Sequence, residues 1–537
     1  MANAGATAGE VERRAIRVGS HPLTRGIGTL GVVIFGVQCI SMVLSGWMPF
    51  SWVTGVFPGV NLIGVLTFAA IPSILHALMF SSMGAAMPRS GADYVFTSRT
   101  LGGVAGFLYS WSLILITALS IGPLVLFVPR TIISEFAATM GVVERSTEFD
   151  RWATLINQPE NLIIIASIVM VVAFIISMTN VKVLVRIMAG GLGLGLVGWV
   201  VLLVMIFIGP HDGFPTAINS FLGAGTYNAH MVAARTMGMV PNTSASMAAY
   251  AGMLVSFWLF FGAYSTSMFA GEVKKPGRTL ALGSVLAIVI CWVVGVAAVV
   301  LTTRIVPQDW ISAESYLAVH GYQGRIYPSI VFYAGLAQPQ LEWLIVAGIS
   351  WALSLISLIA AYLFYASRAV FAWARDGLMP LGLTYVNPHS KSPLLALLLV
   401  AVIAEIGVID GVQGQFIEKN VNFVVFAVAT QVVPAVAAVV WPFLKNRAAE
   451  TRRGILNWKL GPIPVGALLG VGVLGYLLWL LLNVFEYPDV AGYMTVGRVV
   501  AFFALPVSGL IVYVWRAIYM RRQGVDLRDT FSKLPEE

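Results

Sequence analysis

Apolar residues run in long blocks along this chain, and polar positions gather between them. A helix needs about 20 predominantly apolar residues to cross a bilayer. Twelve blocks reach that length: 27–50, 62–87, 101–129, 161–179, 187–209, 246–270, 281–302, 343–371, 393–410, 421–443, 463–484 and 498–519. From Gly26 to Pro88 there is no Asp, Glu, Lys or Arg, so the first two spans and their link carry no charge. The longest connections are 130–160, 210–245 and 303–342. The first is acidic (Glu135, Glu144, Glu148, Asp150, Glu160) and long enough for a short helix. The third has room for helices lying over a vestibule.

Two blocks carry polar interruptions. In the first span it is Gly36-Val37-Gln38-Cys39-Ile40-Ser41-Met42. In the sixth, Phe257-Trp258-Leu259-Phe260-Phe261-Gly262-Ala263-Tyr264 runs into three hydroxyls, Ser265, Thr266 and Ser267, and then a charged exit, Glu272-Val273-Lys274-Lys275-Pro276. Unwound backbone is tolerated at membrane depth only where it lines a cavity or is buried in protein, and in secondary transporters such a break is the substrate site. An unbroken helix with its hydroxyls bonded back to its own carbonyls fits the same residues. For Gln38 and Ser41, hydrogen bonding between helices stands beside substrate contact.

Composition and charge sharpen this picture. The 537 residues are 58% hydrophobic and only 10% charged, against about 25% charged in globular domains. Mean hydropathy is +0.86. The chain is therefore an all-α polytopic membrane protein with one membrane domain. Residues 1–24 show no signal-peptide pattern. With twelve spans, 24 of the 32 Lys and Arg fall on the side of both termini, giving that side a net charge of +14 and the other −6. Cytoplasmic loops collect Lys and Arg, so a cell-membrane location with both termini cytoplasmic is expected. The basic side faces anionic lipid, and the charge calls for no nucleic acid.

Few other residues carry chemistry. Cys39 and Cys291 lie in apolar spans and suggest neither a disulfide framework nor a metal site. The six histidines form no ligand pair; His76, inside the second span, is either a neutral packed side chain or a functional one. No His-Glu-x-x-His run or nucleophile motif occurs, so an enzyme is not expected.

The sixth-span stretch resembles the sixth membrane helix of the amino acid–polyamine–organocation permeases. It aligns without gaps with the Trp-x-Phe-x-Gly…Ala-Gly-x-Val-Lys-Asn-Pro pattern of bacterial arginine/agmatine exchangers in that superfamily. The eighth-span exit, Ser367-Arg368…Ala374-Arg375-Asp376-Gly377-Leu378-Met379-Pro380, is similar to the family's Ser-Arg…Ala-Arg-Asp-Gly-x-x-Pro. Val386-Asn387-Pro388, Asn180-Val181-Lys182 and Pro88-Arg89-Ser90-Gly91-Ala92-Asp93-Tyr94 match family inner loops. The resemblance covers roughly residues 20–440.

It implies a leucine-transporter-type fold: a first five-helix repeat (25–209) and an inverted second one (246–443), with helices 1 and 6 broken. Two additional helices (463–519) and the tails 1–24 and 520–537 complete the chain. Substrate would sit between the breaks and move by alternating access. The implied substrate contacts are Gln38, Ser41, Met42, Trp258, Phe261, Gly262, Ala263, Tyr264, Ser265, Thr266 and Tyr362. Ser41 and nearby backbone would hold a carboxylate, and carbonyls and hydroxyls at 261–266 an amine. Trp258 would gate the cavity, and Arg368, Arg375 and Asp376 would pair to close the inner gate. Tyr264 replaces a glutamate of the arginine/agmatine exchangers, which points to small, neutral or apolar amino acids. A polyamine or inorganic-cation transporter, or a permease-fold nutrient sensor, are the alternatives. No cofactor is expected. Coupling is open: Ser354 and Ser357 are a candidate sodium pair, while the lysine that proton-coupled relatives place in the fifth span is absent. Spans 11 and 12 offer scaffold or a homodimer contact. The C-terminal stretch after Trp515 is expected to be a basic, mobile end.

Overall fold

Among the described residues, twelve helices are long and apolar enough to cross a membrane: Thr29–Val56, Leu62–Ala86, Gly103–Glu144, Pro159–Ser177, Val181–Ile208, Ala245–Glu272, Pro276–Thr303, Leu341–Arg375, Leu394–Gln413, Phe423–Phe443, Val465–Glu486 and Val496–Arg522. They are called spans 1 to 12 below. The structure, a computed structural model, describes residues 25–210, 213–322, 326–444 and 458–532. The expected tail 1–24 and residues 533–537 lie outside the described residues.

The apolar blocks become helices because a backbone inside hydrocarbon must satisfy its own N–H and C=O groups. Their outward faces stay bare: Ile164, Ile168, Val171 and Ile175 of span 4 are all exposed. Inward faces carry small residues. Gly122 of span 3 and Gly407 of span 9 meet backbone to backbone; a Cβ on Gly122 would lie 2.6 Å from the Gly407 Cα. The glycines of span 5 do similar work. Gly191, Gly195 and Gly198 receive Ser357, Ser354 and Trp351 of span 8, the close approach that small residues allow between membrane helices. Spans 2 and 7, 2 and 6, 1 and 7, and 10 and 11 form further packed pairs.

Two stretches differ from expectation. Residues 130–144 are not a loop: span 3 passes through a π turn at Val128–Ile133 and continues helically to Glu144. A π turn lets a helix shift register without stopping. The short helix expected in that connection is Thr147–Ile156. The stretch after Trp515 is not a free end within its described part. Span 12 runs to Arg522, and a short helix, Leu527–Phe531, folds back. Phe531 is buried under the Arg99 guanidinium, 5.2 Å from the ring centre. The long connection after span 7 carries helices Gln308–Val319 and Ile330–Ala337. That after span 5 carries Phe214–Leu222 and Thr226–Thr236.

Candidate functional site

Span 1 breaks at Ser41. The helix Thr29–Ile40 ends there, and Met42–Met48 begins. Ser41 has φ 62° and ψ 91°, a conformation rarely adopted outside glycine. Its hydroxyl caps the new start by accepting from the Leu44 N–H at 3.3 Å. The first N–H groups of a helix have no partner within it, and the helix dipole adds positive potential there.

Span 6 breaks one residue ahead of the expected Phe261-Gly262-Ala263. The α-helix Ala245–Leu259 ends at Phe260 (φ −136°, ψ −1°), and Phe261–Glu272 continues as a 3-10 helix with a kink at Phe269. Runs of 3-10 helix longer than four residues are uncommon, and a mid-helix stretch often marks a hinge. The hydroxyls partly follow the alternative pattern: Ser265 donates to Gly262 O at 2.7 Å and Thr266 to Ala263 O at 3.0 Å. Both groups are thus used to hold the unwound turn.

The two breaks touch. A Cβ on Gly262 would fall 2.5 Å from the Cys39 carbonyl carbon and 2.8 Å from the Ile40 nitrogen. Only glycine lets span 6 lie that close to span 1. Neighbouring hydroxyls stitch the exposed ends: Tyr362 of span 8 donates to Cys39 O at 3.0 Å, and Ser45 donates to Leu259 O at 2.9 Å. Around this point stand aromatic rings. His76 stacks on Phe261 at 3.7 Å between centres, and its Nε2 lies 2.5 Å from Gln431 Oε1 of span 10. The His76 Nδ1 is buried and has no hydrogen-bond partner among the described residues. Tyr264 lies edge-on to His76, and its hydroxyl is 3.3 Å from that of Tyr365. Trp258 packs against Trp52 of span 1 at 5.7 Å between centres.

Four expected site residues, Gln38, Met42, Ser354 and Ser357, are engaged between helices. Gln38 Nε2 donates to Met188 O of span 5 at 3.1 Å and to Ser357 Oγ of span 8 at 2.7 Å. It therefore cross-links three helices. Ser357 donates in turn to Ser354 O, and Ser354 faces Gly195. The hydroxyl pair thus meets an amide donor and a helix face. Met42 is buried toward Gly195 as well.

The Lys/Arg-rich end is tied shut. Gly26 and Ile27 N–H groups donate to Glu272 O, and the Lys274 N–H donates to Ile27 O. These bonds join the start of span 1 to the end of span 6. Arg368 pairs with Glu272 at 3.3 Å and lies over Phe364, 3.6 Å from the ring centre. Asp376 takes Arg99 through two bonds, 2.6 and 2.8 Å, and the Tyr94 hydroxyl at 2.7 Å. Arg375 lies over Phe371 at 5.7 Å. So Arg368 and Asp376 do not pair with each other as expected; each takes a partner from another element. At the opposite end, Trp47 donates to Glu135 at 2.9 Å and Gln308 to Val60 O at 2.6 Å.

Glu272, Arg99, Trp52, Ser45 and Tyr365 were missed as partners, because nothing in the linear order joins Arg99 to Asp376; for Gln38 the structure shows the hydrogen bonding between helices that stood beside substrate contact, with Ser357 as its partner. Glu272 did stand in the quoted exit motif.

Comparisons with known proteins give the family. A family model described as amino acid permease matches residues 27–514. The branched-chain amino acid permease of Bacillus subtilis is 22% identical over 70% of this chain and 73% of its own length. The methylthioribose transporter of the same organism is 21% identical over 72% and 75%. The Asc-type amino acid transporter 1 of Mus musculus is 23% identical over 60% of this chain and 53% of its own. With twelve membrane-length helices and a family match across nearly all of them, this chain belongs to the amino acid permeases of the amino acid–polyamine–organocation superfamily, which are multi-pass membrane transporters and not enzymes.

Proposed function

We propose that this permease moves small, neutral or apolar amino acids by alternating access, holding them between the breaks of spans 1 and 6. The observation that carries this reading is the contact of the two breaks at Gly262 and Cys39. A helix start at Met42 and a helix end at Leu259 meet there. Opposite helix ends present opposite partial charges, which suits a zwitterion: the carboxylate at Ser41 and the following N–H groups, the amine at carbonyls near Phe260 and Phe261. The nearby side chains are Phe261, His76, Tyr264 and Tyr362. No Asp, Glu, Lys or Arg lies in residues 36–45 or 257–266, so a ligand with no net charge is the cheaper one to desolvate. The Lys/Arg-rich end faces the cytoplasm, the two five-helix halves are inverted repeats, and the bare face of span 12 meets lipid or a second copy.

Counterflow in proteoliposomes tests it. Vesicles are preloaded with each of the twenty amino acids, agmatine, putrescine, potassium or methylthioribose, and compared with a Trp258→Ala variant. Exchange of neutral amino acids that falls about tenfold or more in the variant is the expected result. Exchange confined to the cations sinks the reading. Methylthioribose alone would favour a second one, a neutral polar solute without an amine, which the second relative brings into view.

A further inference from the structure

Asp93 opens the short helix Ala92–Leu101 that links spans 2 and 3 on the Lys/Arg-rich side. Its side chain is buried, 1% exposed. Gly91 just ahead of it takes a positive φ of 66°, and its N–H donates to Met268 O of span 6 at 2.9 Å. One carboxylate oxygen accepts the Tyr94 N–H at 2.7 Å, the other the Tyr109 hydroxyl at 2.5 Å. The charged groups on the packed elements have other partners. Asp376 of span 8 is held by Arg99 and Tyr94, and Arg368 by Glu272. Arg375 lies over Phe371, and Arg89 donates to Pro88 O. Span 3 faces Asp93 with Tyr109, span 2 brings His76, span 6 Tyr264 and Glu272, and span 10 no titratable group. Among the described residues Asp93 has an amide and a phenol for partners, and no cation. Burial pushes its carboxyl up from 3.8 to about 6.

From this acid a row of phenols leads to the break. Tyr365 of span 8 makes no direct hydrogen bond to Tyr109 among the described residues, and its hydroxyl is 3.3 Å from that of Tyr264. Tyr264 sits in the unwound part of span 6, against His76 and Phe261. A phenol both donates and accepts. While Asp93 is ionised, Tyr109 must donate to it. Once a proton binds a carboxylate oxygen, the new O–H donates instead, and the Tyr109 hydrogen is freed to turn toward another acceptor. That freed hydroxyl can turn toward Tyr365, whose own hydroxyl meets Tyr264 at the break.

We propose that Asp93 is the proton-coupling acid of this transporter, and that the Tyr109–Tyr365–Tyr264 hydroxyls link its protonation to the segment that holds substrate. The step needs only a proton. An O–H bond forms at the carboxylate on loading and breaks to water when the Gly91–Met268 contact parts on the Lys/Arg-rich side. The inference rests on the transport reading above and adds the coupling ion and its carrier.

The test uses the full chain in proteoliposomes with radiolabelled leucine and alanine, with a trapped pH dye. Counterflow at equal pH is measured first; its absence for all twenty amino acids would overturn the transport reading and this inference with it. A one-unit pH gradient, acid outside, is then imposed. The expected result is accumulation up to about tenfold, with amino-acid-dependent acidification of the lumen. Counterflow without proton drive, or drive by a sodium gradient alone, overturns the inference and leaves the transport reading standing. Asp93→Asn is expected to keep counterflow and lose the pH-driven accumulation; retained drive in that variant overturns the proposal. Tyr109→Phe gives a reading that does not depend on that variant folding. It removes the first hydroxyl of the link and leaves the carboxylate in place, so counterflow is expected to remain while pH-driven accumulation is lost, and accumulation at the wild-type level would overturn the link.

Discussion

A methyl group on Gly262 would land 2.5 Å from the Cys39 carbonyl carbon, so Gly262→Ala must push spans 1 and 6 apart. Overpacking of this kind costs about 1–3 kcal/mol. Substrate affinity in detergent is expected to fall about tenfold or more, the factor for each 1.4 kcal/mol, while the chain still folds. Unchanged affinity would mean that substrate does not bind between the breaks. Asp93 gives a second residue-scale prediction. Its carboxyl rises from 3.8 to about 6 on folding, so between those values the folded chain holds a proton the unfolded chain has lost. Stability therefore falls as pH rises from about 4 to about 6 and is level above that, by an amount on the order of 3 kcal/mol at most. Asp93→Asn lacks the fall. The gain in melting temperature of the variant over wild type should grow between pH 4 and pH 7, and a constant difference would sink the prediction. The two residues differ in legibility. Gly262 announced itself as a glycine beside hydroxyls in an apolar block, whereas Asp93 looked like an ordinary loop acid until Tyr109 closed over it.

At the scale of elements, the apolar blocks foretold every span to within a few residues, except where a helix outran its block. Span 3 passes residue 129 because Pro129 and Arg130 are absorbed in a π turn, and no local signal separates that turn from a helix end. Breaks were legible to the same degree. Ser41 stands where span 1 divides, while the division of span 6 lies at Phe260, one position early, since the approach to Cys39 decides it. Ties between elements were not legible, because they join residues far apart in the chain. Arg368 and Glu272 are 96 positions apart and both buried. Removing one member of a buried pair strands the other charge, at about 3–5 kcal/mol. Arg368→Met alone is thus expected to lower the melting temperature sharply, and Arg368→Met with Glu272→Gln to recover much of it. If the double variant is as unstable as the single, span 8 is held to span 6 by packing, such as Arg368 over Phe364, rather than by charge.

For the molecule as a whole, alternating access requires that the ties at the Lys/Arg-rich end break together while the far end stays closed. Those ties converge on few groups. Asp376, just past the end of span 8, holds both Arg99 and Tyr94 of helix Ala92–Leu101, and Phe531 near the chain's far end covers the same Arg99. The closure is therefore built from elements of both halves and the C-terminal helix. Asp376→Asn removes the anion that holds Arg99 and Tyr94 in this cluster, which weakens the closure and favours the open arrangement. Cys39 reports on that opening: it is buried at the division of span 1, and Cys291 can be replaced by Ser to leave it as the lone thiol. A membrane-impermeant maleimide applied to the Lys/Arg-rich side of sealed vesicles should label Cys39 slowly in the wild type. In Asp376→Asn the rate should rise about tenfold, the change that follows from 1.4 kcal/mol in the closed-to-open balance. Faster labelling from the opposite side only would mean that Asp376 holds the other conformation. An unchanged rate from both sides would assign closure to the backbone ties at Glu272 and Ile27, which no side-chain substitution removes.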